Sequence, residues 1–150
     1  MSGFRIELDG ANLERKGQQF VSGRGVYNDA FTRIHRIEPH GFASSPIKGA
    51  KALLFSPNGD PDQAYVIGGE HPSHRPANLP VGATAIYDMS GNIIKLVNSE
   101  VIFDFASRTA TFTAGTWTIN GDVTINGNVT INGNLNASGS ITDGDGDGGA

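Results

Sequence analysis

A chain of 150 residues is long enough for one ordinary domain of about 100–150 residues. The absence of cysteine excludes a disulfide framework and thiol catalysis, and a formal net charge of −4 argues against a basic surface for nucleic acid. No apolar run approaches the roughly 18 residues of a membrane-spanning helix, and the acidic start does not resemble a signal peptide, so we expect synthesis in a cytoplasm without secretion.

Short apolar stretches separated by turns fill the first two thirds of the sequence. No stretch shows sustained helical periodicity, and many short strands between turns are typical of a small barrel or sandwich. We therefore predict an all-β head. Its strands are expected at 4–8, 19–27, 31–37, 51–56 and 64–67, followed by a hairpin of 83–87 with 92–96 and a last pair of 101–105 with 109–114. The alternation in 31–37 does not show which of its residues point inward. Residues 11–19 are expected to form a loop or a short helical turn.

From Trp117 to Ile141 the sequence keeps a strict two-residue period. Odd positions are apolar residues or glycine, and even positions are Asn, Thr, Ser or Asp122. Glycine also recurs every six residues, at Gly121, Gly127, Gly133 and Gly139. The first period predicts a strand with one buried face, and the second is typical of a solenoid or a fibre.

A single chain does not bury this face by itself, because ordering the repeat costs more conformational entropy than its own apolar side chains return. A single-chain β-helix takes about three hexapeptides per coil, and only about four are present. In three chains wound around one axis, each chain would pair with the unpaired strand edges of the other two. We therefore predict an intertwined trimeric β-helix with a core of Trp117, Ile119, Val123, Ile125, Val129, Ile131, Leu135 and Ile141. The alternative is a disordered or sheet-forming tail.

Charge is almost absent from this segment, since Asp122 is the only ionised side chain between Arg108 and Asp143. Charged groups are costly to carry into a bilayer, whereas Thr and Asn are cheaper and hydrogen-bond along ladders. One hypothesis is that this surface lets a rigid rod pass through lipid. The alternative is that the Asn and Thr residues serve ladder bonding alone.

Two clusters have spacings that suit a metal ion. His71 and His74 lack a third ligand nearby, and Pro72 between them makes a helical presentation unfavourable, so a surface loop or subunit contact is the other interpretation. Asp143, Asp145 and Asp147 resemble the first half of a calcium loop, but the Glu that would complete it is absent. On a three-fold axis one Asp per chain would supply three oxygens; otherwise the segment is a flexible polar end.

Catalytic motifs are missing. The sequence contains neither Gly-x-Ser-x-Gly nor a phosphate-binding glycine loop, and paired acids for glycoside hydrolysis cannot be judged without a structure. We therefore predict no enzymatic activity, no catalytic residues and no cofactor other than a metal ion at a three-fold tip.

Two stretches resemble a known family. Residues 38–46, Glu-Pro-His-Gly-Phe-Ala-Ser-Ser-Pro, resemble the Pro-aromatic-Gly-Phe-x-Ser-x-Pro element of the Mu-like phage baseplate spike family, also called baseplate assembly protein V. Residues 68–92 are similar to its apolar strand, its Arg-Pro-x-x-Leu-x-x-Gly turn and its Tyr-Asp-x-x-Gly-Asn hairpin. A repetitive β-helical tail after these stretches is also the layout of that family, so the resemblance covers roughly 38–141.

The resemblance implies a non-enzymatic homotrimer in a virion tail baseplate or a tailocin particle. Residues 1–105 would form an OB-fold-like collar bound to the baseplate hub or tail tube, 106–142 a triple-stranded β-helix needle, and 143–150 a Gly/Asp-rich tip. Sheath contraction would drive the needle through the outer membrane of the target cell. No nucleic acid would be bound.

Two departures from the family pattern affect the ends of the chain. Family members often have a longer N-terminal arm, and many carry His-x-His motifs that bind iron at the tip, whereas all four histidines here precede the fibre: His35, His40, His71 and His74. One interpretation of this end is that a separate protein caps the tip. The alternative functions are a trimeric receptor- or sugar-binding fibre module and a small oligosaccharide-binding barrel; clustered surface aromatics on the head would favour binding.

Overall fold

A computed structural model of the protein describes residues 2–142 and Gly144. The chain divides into one unit up to Ala110 and a second unit from Thr111 onward. Two short 3₁₀ turns, Pro57–Gly59 and Pro61–Gln63, follow the fifth strand. The strands found in the described residues are β1 Ser2–Leu8, β2 Leu13–Arg15, β3 Gln18–Arg24, β4 Ala30–Arg36, β5 Lys51–Ser56, β6 Tyr65–Glu70, β7 Thr84–Tyr87, β8 Ile93–Val97 and β9 Glu100–Asp104.

Five strands of the first unit close into a barrel. The order is β1-β5-β6-β4-β3, and β3 returns to pair with β1, while β2 lies beside β3 outside the ring. All pairs in the ring are antiparallel except β4 with β6, which are parallel. In chain order, the third barrel strand thus pairs with the fifth and the fourth with the first, as in an OB-like barrel. The prediction of an all-β chain with a barrel head is confirmed.

The barrel core comes from alternate residues of the ring strands. The largest fully buried side chains are Ile6, Leu8, Val21, Leu54 and Val66, and Ala50, Ala52 and Ala64 fill the narrower places between them. Three half-buried residues, Phe4, Phe31 and Ile34, pack against this cluster. Because successive strand residues point to opposite faces, the intervening residues of each strand lie on the outer surface of the barrel.

The seam between β1 and β3 depends on a glycine. Gly23 pairs with Leu8, and a Cβ atom added to Gly23 would lie 2.4 Å from the carbonyl oxygen of Glu7. The register of β3 against β4 also shifts between Val21 and Gly23. A bulge of this kind bends a strand locally, which lets β3 pair with β4 on one side and with β1 on the other.

A second, three-stranded antiparallel sheet with the order β7-β8-β9 follows the barrel along the chain. The predicted hairpin of 83–87 with 92–96 is confirmed, and Asp88 Oδ1 closes its turn by accepting hydrogen bonds from the backbone N–H groups of Ser90 and Asn92. The predicted pairing of 101–105 with 109–114 was wrong. Asn98, with φ of 54°, turns the chain tightly, so that β9 folds back on β8 instead.

The second unit contains no strand in its described residues, 111–142 and Gly144, and all of them are exposed. The rings of Phe112 and Trp117 pack 4.9 Å apart, centroid to centroid. A trimeric β-helix over 106–142 stays a prediction. Among the described residues there is also no helix with the length and apolar character needed to cross a membrane.

Candidate functional site

The eight residues predicted to form a trimer core are all exposed in the single chain. Their exposed fractions run from 49% at Ile131 to 67% at Leu135, with Trp117 at 63%. The other five, Ile119, Val123, Ile125, Val129 and Ile141, lie between 50% and 59%. Large exposed apolar patches are typical of surfaces that bind other molecules, which makes this row a candidate interaction surface.

The repeating glycines of this row have free space around them. Cβ atoms added to Gly127, Gly133 and Gly139 would meet no heavy atom within 4 Å. None of these three has the positive φ that favours glycine over other residues. The conformation and packing of the single chain therefore give no reason for glycine at these positions.

A buried polar network lies where β4 leaves the barrel. The Arg36 side chain is 7% exposed, and its Nη1 lies 2.8 Å from both Gln19 Oε1 and Glu38 Oε1. Arg36 Nε donates to the carbonyl oxygen of Gly68 at 2.7 Å, and Nη2 donates to Ser44 Oγ at 2.9 Å. Every arm of the guanidinium is thus paired, which is the condition under which a buried charge is tolerated.

Glu38 connects this network to the segment 38–46. Its carboxylate accepts hydrogen bonds from the backbone N–H of Ser44 at 3.0 Å and from Ser44 Oγ at 2.8 Å. Burial alone raises the pKa of Glu38, but the hydrogen bonds from Ser44 and the charge of Arg36 outweigh it, and the pKa lies below its usual value. The carboxylate is therefore ionised at neutral pH and fully engaged, so the network's role is structural.

His71 and His74 lie close together. Their ring centroids are 4.7 Å apart, and His71 Nδ1 accepts a hydrogen bond from the backbone N–H of Ser73 at 3.2 Å. Across residues 2–142 and Gly144, no group of three or more His, Cys, Asp or Glu side chains could hold a metal ion. The predicted metal ligands Asp143, Asp145 and Asp147 lie outside the described residues.

An aromatic row runs across the outside of the barrel. Phe20 on β3, His35 on β4 and Tyr65 on β6 occupy paired positions, with ring centroids 5.5 Å and 5.9 Å apart. Leu13 on β2 is paired with Phe20 and extends the row. The sequence interpretation missed this row because its members come from four separate strands. The sequence did contain one indication of it: Phe20 and Tyr65 each stand directly beside a residue that points into the barrel, so their own side chains point outward.

Two comparisons with known proteins agree with the family resemblance. Residues 9–73 match the model of the family described as Bacteriophage Mu Gp45, N-terminal. The baseplate puncturing device gp45 of Escherichia phage Mu is 27% identical over 126 residues, which cover 79% of this chain and 64% of that relative. The chain thus spans about 64% of the length of this curated relative.

The region that matches the family model holds β2 to β6 and the whole network around Arg36. The match to the phage Mu protein extends further, because 79% of this chain is more than 9–73 contains. Both matches bear out the resemblance: the chain is similar to Mu-like baseplate spike proteins, over 9–73 in the family model and over 79% of its length in the phage Mu relative.

Proposed function

We propose that this protein is the central, cell-puncturing spike of a contractile phage tail or tailocin baseplate, driven through the target envelope when the sheath contracts. The observation that carries the proposal is the similarity to a relative described as a baseplate puncturing device. The exposed apolar row from Trp117 to Ile141 supports it independently, because a puncturing element needs a rigid, elongated part.

In this proposal three chains wind around one axis and turn the apolar row inward. The half-exposed Val, Ile and Leu side chains then form a continuous core, whose close packing makes the rod stiff. The glycines spaced six residues apart let three backbones approach each other, which gives them the role that the single chain does not provide. Trp117 would begin this core.

The outer surface of the needle would carry Asn and Thr. Since Asp122 is the only ionised side chain between Arg108 and Asp143, the rod would cross the outer membrane of the target cell at a low desolvation cost. Replacing both Thr124 and Thr130 by Lys would add charge to that surface. Unchanged infection or killing by particles with trimeric Thr124→Lys/Thr130→Lys spikes would contradict the role of this surface in membrane passage.

The barrel would be the collar that holds the needle in the baseplate, in contact with the hub or tail tube protein. Three barrels in one homotrimer would present the same surface three times around the axis. At the other end, Asp143, Asp145 and Asp147 would either bind a metal ion on the three-fold axis or carry a separate capping protein. The work of such a spike is mechanical, so we propose no enzymatic activity and no nucleic-acid partner.

The decisive experiment changes the inward row and leaves the outward row as a control. Ile125→Asp/Ile131→Asp should place charges on the axis and convert the trimer to monomers in light scattering, with loss of infectivity in particles that carry the variant. Thr124→Asp/Thr130→Asp adds the same charge on the opposite face of the strand and should stay trimeric. A monomeric parent protein, or equal loss of trimer in both variants, would overturn the proposal.

A second candidate function, recognition of a surface sugar, is favoured by the aromatic row of Phe20, His35 and Tyr65. Aromatic faces are suited to stacking against sugar rings, and OB folds bind oligosaccharides on the face of their second and third strands, here β3 with Phe20 and β4 with His35. This function predicts that the parent protein binds cell-surface oligosaccharides. It also predicts that Tyr65→Ala loses both this binding and the infectivity that depends on it. The relative's description as a puncturing device favours the spike.

A further inference from the structure

The fibre repeat contains three Asn-Gly steps. They lie at 120–121, 126–127 and 132–133, six residues apart, and every residue of the three steps is exposed in the single chain. The sequence has one further Asn-Gly step, at 58–59 in the head. Asn-Gly is a chemically distinctive pair, so its regular return in the repeat calls for an explanation.

The step at 58–59 has a conformational reason. Asn58 has φ of 55° and Gly59 has φ of 77°, and the Asp60 N–H donates to the Pro57 carbonyl at 3.0 Å. Two successive residues with positive φ form the kind of tight turn in which Asn-Gly is the preferred pair. The three asparagines of the repeat do not have positive φ, so this reason does not extend to them.

An asparagine followed by glycine can lose its side-chain nitrogen without an enzyme. The glycine backbone nitrogen attacks the asparagine Cγ, a new C–N bond forms and the Cγ–Nδ2 bond breaks, and the glycine N–H proton leaves with the side-chain nitrogen as ammonia. Water then opens the five-membered succinimide at one of its two carbonyls, giving aspartate or isoaspartate. Glycine favours ring closure because it has no Cβ and its backbone rotates freely.

The single chain leaves this reaction open in the repeat. Within the described residues 111–142 and Gly144, no backbone N–H donates to a backbone carbonyl. Cβ atoms added to Gly121, Gly127 and Gly133 would meet no heavy atom within 4 Å. The nitrogen of each glycine is therefore free of a competing backbone hydrogen bond, and no neighbouring group obstructs its approach to Cγ.

We propose that the steps at 120–121, 126–127 and 132–133 are spontaneous deamidation sites of the unassembled chain, and that assembly of the fibre protects them. The protection rests on the proposed function, whereas the sites themselves do not. In paired strands the backbone N–H groups donate to a neighbouring strand, and the extended backbone holds each glycine nitrogen away from the preceding Cγ. Three chains wound together would impose this geometry on all three steps.

Deamidation would damage the repeat in two ways. Aspartate adds a negative charge to the outward row, because Asn120, Asn126 and Asn132 occupy the same even phase as Thr124. Isoaspartate also inserts one carbon into the main chain, which disturbs the two-residue alternation of every side chain beyond it. The reaction therefore marks chains that have stayed unassembled and removes those with isoaspartate from fibre assembly.

The sites are tested in the full-length parent and in Ile125→Asp/Ile131→Asp, incubated side by side at mildly alkaline pH. Peptide mass spectrometry follows the conversion of each asparagine. Asn128 and Asn134 are the matched controls, because they lie in the same exposed repeat but precede valine and leucine. In the monomeric variant, the step at 120–121, whose neighbours are unaltered, should convert at least about tenfold faster than both controls. In the trimeric parent it should be as slow as the controls.

Two further measurements complete this comparison. The parent kept unfolded in urea supplies the open-chain rate independently of the variant. Light scattering on each sample reports its assembly state. The step at 58–59 is the internal reference, because its turn lies outside the repeat and its rate should be the same in both proteins.

The possible outcomes separate the sites from the spike. An open-chain rate at 120–121 no higher than that of Asn128 would overturn the sites. A trimeric parent that reacts as fast as the open chain would overturn the protection and leave the spike intact. A monomeric parent would overturn the spike and the protection together, while fast Asn-Gly steps in it would still support the sites.

Refolding tests the consequence for assembly. Parent chains aged in urea and returned to buffer should form trimers that contain several-fold less isoaspartate than the chains left unassembled, because the inserted carbon disturbs the buried row. Equal isoaspartate in the two fractions would show that deamidation does not exclude a chain from the fibre.

Discussion

Arg36 Nη1 lies 2.8 Å from Glu38 Oε1, and the two residues stand on either side of the point where β4 ends. Glu38 in turn holds Ser44, so one guanidinium fixes both the barrel wall, through Gln19, and the segment 38–46. This explains the Ser in the motif that carries the family resemblance: its hydroxyl is a hydrogen-bond partner of a partly buried ion pair. The motif is therefore evidence of fold, and it does not identify a catalytic site.

The first prediction concerns this ion pair. Glu38→Gln should lower the free energy of unfolding by about 1.5–3 kcal/mol, because hydrogen bonds to charged groups are worth roughly that much and Arg36 stays buried. Urea unfolding followed by circular dichroism measures the change. The control is Glu70→Gln, which removes an exposed partner 3.9 Å from Arg75 and should change stability by less than about 0.5 kcal/mol. Equal effects of the two substitutions would refute the structural role of Glu38.

The second prediction concerns acid. Because the folded-state pKa of Glu38 lies below its unfolded value of about 4.3, the carboxylate contributes stability that is fully present above that pH. This contribution is lost as the pH falls through the folded pKa. Stability should therefore decline below about pH 4.3, and the decline should be shallower in Glu38→Gln.

High salt provides the control for this pH profile. The pKa of Glu7 is also lowered, first by its hydrogen bond with Lys51 and then by the lysine charge, but this pair is solvent-exposed. Salt screens exposed pairs much more than partly buried ones. The difference in pH dependence between the parent and Glu38→Gln should therefore persist at high ionic strength, and its disappearance would assign the effect to surface charge.

The third prediction uses two adjacent leucines of β5. Leu54 is 1% exposed inside the barrel, whereas Leu53 is 40% exposed on its outside. Leu54→Ala should lower the free energy of unfolding by about 2–5 kcal/mol, because it removes buried contacts and leaves a cavity. Leu53→Ala should cost less than about 1 kcal/mol. Chemical unfolding of both variants measures the difference, and similar losses would contradict the assignment of the inner face of β5.

Local patterns in the sequence predicted those parts of the fold that local chemistry determines. Strand β5 lies where it was expected, because an apolar run is bounded by Gly49 and by Pro57. Strand periodicity alone did not decide between barrel and sandwich, because that choice depends on distant pairings such as Leu8 with Gly23 and His35 with Tyr65; the family resemblance supplied the barrel. Strand β2 was missed because it is short and polar and pairs only with β3.

The ambiguous phase of 31–37 has a specific cause. Phe31 and Ile34 both pack against the core although they have opposite parity, which regular alternation forbids. Arg33 between them has φ of 57°, and the register with β3 shifts opposite this region. Arg36 then points inward, which residue type alone would not predict, since arginine is rarely buried unless it is paired. The network around it was therefore beyond sequence reasoning.

The fibre row shows the reverse situation. Its period was clear in the sequence, from Trp117 to Ile141, yet a single chain offers no surface to cover it. No described part of the chain covers this row, so its apolar chemistry follows from the sequence while its assembly is a proposal.

The last prediction concerns the glycine at the barrel seam. Gly23→Ala would place a Cβ atom 2.4 Å from the carbonyl oxygen of Glu7 and 3.2 Å from Leu8 Cα, and both are backbone atoms. Strand β1 would have to move away from β3, so we expect a loss of about 1–3 kcal/mol or more and faster hydrogen exchange at the Asp9 amide, which bonds to the Ser22 carbonyl. Gly3→Ala on β1 is the matched control, because its nearest neighbour is 3.6 Å away. Unchanged exchange at Asp9 in Gly23→Ala would show that the seam does not depend on this glycine.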